Sequence, residues 1–93
     1  VTQTILFRIH AVQRMFERAV SFRKVLSVVK TGEIIEDYTF EMSKPGHLKL
    51  GFQGNRPIHV VTSQDTETGV TTIVTVYIPD ADQWTKDFTS RRS

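Results

Sequence analysis

The sequence contains no cysteine. That excludes a disulfide framework and any thiolate metal site. No apolar run approaches the roughly 20 residues that a membrane-spanning helix needs. The start of the chain shows no basic-then-apolar signal pattern, so the cytoplasm is the expected compartment. There is no Gly-rich phosphate loop and no strand–turn–helix nucleophile motif. Three histidines are present, at no familiar metal spacing. Repeats and low-complexity stretches are also missing. The one catalytic constellation the residues offer is a metal-free set of histidine, arginine and tyrosine.

What is present fits one domain. The 93 residues are read as a single unit over 1–93, with a C-terminal tail from about residue 80. The formal charge is +2 and the isoelectric point about 9.2, a mildly basic balance compatible with a polyanionic partner. Distribution says more than the total. His10, Arg14, Arg18, Arg23 and Lys24 crowd the first quarter, and Glu33, Glu36, Asp37 and Glu41 follow as an acidic block. A basic face and an acidic face are expected.

"TILFRI" alternates and reads as a short strand. From His10 to about Ala19 the period changes. Ala11, Val12, Met15, Phe16 and Ala19 make one helical stripe. Ser21 is a suitable N-cap for a second helix over "FRKVLSVVK", with Gly32 as its stop. The texture then turns to β. "EIIEDYTF", "HLKLGFQ", "IHVVTSQ" and "VTTIVTVYI" read as strands separated by turn sequences such as "GNRP" and "DTETG". Connections this short suit antiparallel hairpins. The predicted fold is α+β, in the order β-α-α-β-β-β-β. Two N-terminal helices cover one face of a four- to five-stranded, mostly antiparallel sheet. The tail "PDADQWTKDFTSRRS" alone is left for the other face, where Trp84 and Phe88 would dock. The expected core is Phe7, Met15, Phe16, Val25, Leu26, Val29, Leu50, Val60, Val74 and Val76.

On the first helix, Arg14 lies about 40° and Arg18 about 80° round from His10. The three form one strip at the edge of the buried face, and arginine pairs fit phosphate oxygens well. The alternative is an ordinary solvated face, with Glu17 pairing Arg14 at i, i+3. His47 reads as exposed at a hairpin tip. His59 alternates with Ile58 and Val60, so it faces away from them. A structural role and a catalytic one are both open to it. Tyr77, near a strand end, can supply a phenol, as can Tyr38. Glu36 and Asp37 are adjacent in a strand and point to opposite faces.

The string "HAVQRMFERAVS…TGEIIEDY" resembles the opening of a bacterial family known as domain of unknown function 4258. "LGF…RPIHVV" is similar to its central strands, and "VTVYIPDADQWTKDFTSRR" to its C-terminal signature. The resemblance covers nearly the whole chain. "AVS" stands where that family usually has Gly-Ile-Ser. In layout the family resembles the RelE-like and barnase-like ribonucleases, which work without metal. The resemblance therefore implies a toxin-type endoribonuclease acting on RNA, with no cofactor. It also implies a cognate antitoxin partner of the zinc-ribbon, helix-turn-helix kind. The residues carried over as catalytic are His10, Arg14, Arg18, His59 and Tyr77. A histidine would be the base, the arginines would hold the phosphate, and Tyr77 or the second histidine would be the acid. The competing reading is a non-catalytic module of the same fold that binds nucleic acid or protein. Convergence of His59, Tyr77, Arg14 and Arg18 in one concavity would favour the enzyme.

Overall fold

The computed structural model describes residues 4–38 and 44–92. Seven elements follow one another: β1 (Ile5–Phe7), α1 (Ile9–Arg18), α2 (Phe22–Thr31), β2 (Glu33–Asp37), β3 (Gly46–Gln53), β4 (Arg56–Gln64) and β5 (Thr71–Tyr77). The strands form one sheet in the order β1-β5-β4-β3-β2. β1 runs parallel to β5, and the other three pairings are antiparallel. This is the α+β arrangement expected from the alternating short segments after Gly32. The end of "EIIEDYTF" and most of the loop after it lie outside the described residues.

Both helices lie on one sheet face. Ala11, Met15, Val20, Val25, Val28 and Val29 from the helical layer pack on Ile58, Val60, Ile73 and Val76 from the strands. Ser21 caps α2 as its sequence predicts, its Oγ accepting the Lys24 amide at 3.1 Å. Gly51 lets α2 approach, because a Cβ there would collide with Val28 Cγ2. The β3–β4 hairpin turns over Gly54–Asn55, with positive φ at Gly54 alone, as a type II′ turn requires.

That hairpin also clamps the corner between the helices. Arg56 donates to the carbonyls of Arg18 and Ala19 at 2.6 and 2.8 Å. Gln53 donates to the Ala19 carbonyl at 3.0 Å and accepts from the Ser21 amide at 3.4 Å. The last carbonyls of α1 and the chain just before α2 therefore have side-chain partners rather than water alone. Ala19 closes α1 in the left-handed region, at φ 54° and ψ 45°. An L-residue in this conformation carries a steric cost.

Four core expectations need correction, the mildest being Phe7, which is half-buried against the edge of the core. Phe16 is 78 % exposed, not buried. α1 packs on β5 while α2 packs on β3 and β4. α1 thus has sheet beneath only the arc that holds Ala11 and Met15, and Phe16 falls outside it. Val74 is only half-buried, because the ladder pairs Val61 with Thr75 and Thr62 with Ile73. Val74 is the extra residue of a bulge, so Ile73 and Val76 take the core positions. Leu26 is also half-buried. His47 lies inside β3, opposite Thr62 and Asp37, and not at a hairpin tip.

Three substitutions test this packing. Met15→Ala should lower stability by about 2–5 kcal/mol in a denaturant melt. Phe16→Ala should change it by no more than about 0.5 kcal/mol. Ala19→Gly should raise stability by roughly 0.5–1 kcal/mol, read as a higher midpoint, because relief of the left-handed strain outweighs the added chain entropy. An unchanged or lowered midpoint would mean that Ala19 carries no such strain.

Candidate functional site

The other face of the sheet is covered by the tail. His59 lies on β4, the middle strand, and is 0 % exposed. It stands opposite Leu50 on β3 and Tyr77 on β5. Paired residues share a face, so His59, Leu50 and Tyr77 look away from the helices.

The tail folds back on itself above this face. The Asp80 carbonyl accepts the amides of Gln83 and Trp84 at 2.9 and 3.0 Å. The Asp87 carboxylate accepts both hydroxyls of Thr85 and Thr89, at 2.7 and 2.8 Å. An isolated bridge then joins Trp84 to Arg91. The tail is built of turns. Trp84 is 2 % exposed, and its ring meets the His59 ring edge-on at 4.4 Å. The Arg91 guanidinium lies 4.7 Å above the Trp84 ring.

Each polar group beneath the tail has a partner. His59 Nε2 faces the Phe88 carbonyl at 2.9 Å, and Nδ1 faces the Tyr77 hydroxyl at 3.2 Å. A carbonyl only accepts, so Nε2 carries the proton and Nδ1 accepts from Tyr77. Burial pulls the His59 pKa below 6.5, against the Phe88 carbonyl and the nearby Glu36 charge, which raise it. The neutral ring is the resting form.

Glu36 joins the network from β2. Arg91 Nε donates to its Oε2 at 3.0 Å, and Arg91 Nη2 donates to Oε1 at 3.3 Å. The Tyr38 hydroxyl also donates to Oε1. Burial raises the Glu36 pKa, yet the bonds from Arg91 and Tyr38 together outweigh it and hold the carboxyl below its usual range. Burial and the bond to Glu36 push Tyr38 up to about 12. Tyr77 is raised as well, chiefly by burial. The group therefore holds a carboxylate, a guanidinium, two phenols and a neutral imidazole from four separate stretches of chain.

The structure brings together only two of the five residues singled out from sequence. His59 and Tyr77 are in contact. His10, Arg14 and Arg18 lie on α1, in the layer on the opposite side of the sheet. His10 and Arg18 are exposed, and Arg14 pairs with Glu17 at 3.3 Å. The expected single concavity is not formed. Sequence reasoning passed over Glu36, Trp84 and Arg91 as site residues. The i, i+2 spacing of Glu36 and Tyr38 in a strand was a usable signal for a shared face. Nothing local marks Arg91, whose place depends on how the tail folds. Among the described residues, no three metal-ligating side chains come together and no helix is long and apolar enough to cross a membrane.

A family model described as domain of unknown function DUF4258 matches residues 7–78. The chain belongs to this family. Neither curated proteins nor solved structures give a match. The DUF4258 match ends one residue after Tyr77, so it takes in Glu36, Tyr38, His59 and Tyr77 and stops short of Trp84 and Arg91.

His59 and Glu36 both make stability depend on pH. A depressed pKa in the folded state means stability that is full above the unfolded value and lost as pH falls through the folded one. For His59 the loss begins below 6.5, and for Glu36 below 4.5. Unfolding free energy measured at several values between pH 7.5 and 5 should fall with acid in the parent chain. His59→Gln cannot take up that proton and should show a shallower slope. Equal slopes would mean that His59 is protonated as readily folded as unfolded.

Proposed function

We propose that this chain is a metal-independent endoribonuclease, the toxin of a toxin–antitoxin pair, with its chemistry on the tail-covered sheet face. One observation carries the reading: Tyr77–His59 and Tyr38–Glu36–Arg91 form neighbouring proton and charge networks on one sheet face. Strand-internal RNA cleavage without metal needs a proton acceptor, a proton donor and a cation for the phosphorane. The Tyr77 oxygen would take the 2′-hydroxyl proton while its own proton passes to His59 Nδ1. The 2′-oxygen then bonds to phosphorus and the bond to the 5′-oxygen breaks. The 5′-oxygen leaves with the proton returned from His59 through Tyr77. The products are a 2′,3′-cyclic phosphate and a 5′-hydroxyl. The Phe88 carbonyl and Glu36 support the transient imidazolium. Arg91, with 59 % of its side chain exposed, faces the phosphate. The RelE-like or barnase-like layout and the antitoxin rest on the resemblance and belong to this proposal.

A second reading is favoured by a different observation. His59 and Trp84 are sealed under the tail, and the arginine strip lies on the far side of the sheet. On that reading the network is a latch for the tail, and the chain is a binding module.

The purified chain is incubated with RNA in EDTA, and the RNA ends are mapped. Cyclic-phosphate ends are expected. Tyr77→Phe should slow cleavage by about 10²–10⁴-fold, and Arg91→Ala by about 10²-fold, with both variants still folded. No cleavage by the parent chain, or equal rates for Tyr77→Phe and the parent, would leave the binding module as the better account.

A further inference from the structure

The helical layer is strongly basic for its length. From Arg8 to Thr31 there are six cations and one anion; the rest of the chain has six cations and nine anions. Only Arg14 in that layer has an acidic partner among the described residues. Arg8, Arg18 and Arg23 are exposed.

The same layer shows apolar surface. Phe16 is 78 % exposed and Ile9 75 % exposed. Seven residues apart on one helix, they fall on one line about two turns long. Beside them a groove of about 340 Å³ opens at the α1–α2 corner, lined by Met15, Phe16, Ala19, Val20, Ser21 and Phe22. Phe22 is fixed there by an edge-on contact with Phe7 at 5.1 Å. Ser21 also lines an adjoining polar groove with Arg23 and Lys24. An apolar slot therefore runs directly into a cationic one.

We propose that this corner docks an acidic amphipathic helix of a partner protein. Its apolar side chains would enter the groove beside Phe16, and its carboxylates would meet Arg18, Arg23 and Lys24. Charge complementarity selects an acidic ligand. The groove selects a protein over RNA: its lining is mostly apolar side chains, and Phe22 is packed edge-on against Phe7 rather than held flat for base stacking. The site shares no residue with the tail-face network, so it stands apart from the ribonuclease reading.

The probe is a labelled synthetic helix about four turns long, with leucines at i, i+3, i+4 and i+7 and glutamates elsewhere. Two controls accompany it: the same peptide with lysine for glutamate, and a single-stranded oligoribonucleotide. Fluorescence anisotropy against the full chain reads binding. The Leu/Glu peptide should bind, and added salt should weaken it. Phe16→Ala and Arg23→Glu should each reduce affinity about tenfold or more; both positions are exposed, so both variants should fold. No binding of the Leu/Glu peptide, equal binding of the lysine peptide, or no effect of Phe16→Ala would overturn the proposal. So would oligoribonucleotide binding that Phe16→Ala abolishes, which would make the corner an RNA face. RNA cleavage by the same two variants reports separately on the tail face.

Discussion

A histidine in the middle strand of a five-stranded sheet must have both ring nitrogens satisfied, or it weakens the sheet at its centre. His59 imposes that constraint here. Its Nε2 needs an acceptor, which the Phe88 carbonyl supplies, and its Nδ1 needs a donor, which Tyr77 supplies. Neither requirement can be met by the strands' own backbone. Phe88 reaches the ring only because the tail crosses the sheet face, and it does so with φ at 61°. The tail in turn is held by Trp84 against the His59 ring and by Arg91 on Glu36. Hence β4, β5 and the tail are tied through one imidazole, and β2 joins them through Glu36 and Arg91. Removing it would open that face, not merely delete a side chain.

The second organising feature is the sheet as a partition. Strand alternation sends Ile58 and Val60 to the helices and His59 to the tail. Charge follows the same division, with cations concentrated in the helical layer and anions in the strands and tail. A basic surface and a titratable network thus sit back to back across the sheet. They cannot act on the same bound group. Any function that needs both must use two partners or one partner that wraps the domain.

Much of the fold was legible because its signals are local. Ser21 and Gly32 bracket α2, the β segments alternate, and each loop carries its turn residues. The misreadings came where tertiary placement decides. Phe16 belongs to the apolar stripe of α1, but α1 lies over β5 and buries only the Ala11–Met15 arc. Val74 alternates correctly until a bulge shifts the period by one residue. The site was legible in part. His59 and Tyr77 stand in adjacent strands, so their meeting follows from the hairpin register. The coupling of Glu36 to Arg91 spans 55 residues and depends on a polar tail with no helical or strand period. No pattern rule reads such a contact. The His10–Arg14–Arg18 strip was correctly placed on one helix face, but helical periodicity says nothing about which side of the sheet that helix covers relative to His59.

The tail network contains two opposed demands. As a latch, Glu36 is best kept ionised and fully bonded, and its depressed pKa and its bonds to Arg91 and Tyr38 accomplish that. As part of a reaction site, Arg91 must turn some of its charge toward a substrate phosphate. Its side chain is the most exposed of the group and its ion-pair partner is the single carboxylate of Glu36, so on that reading an arriving phosphate could compete for the guanidinium. A phosphate that draws Arg91 away from Glu36 would also loosen the cation–π contact on Trp84. That contact is one of those closing the tail over His59. On the ribonuclease reading, substrate charge and access to the imidazole would be coupled through this one arginine, at the exposed end of the network.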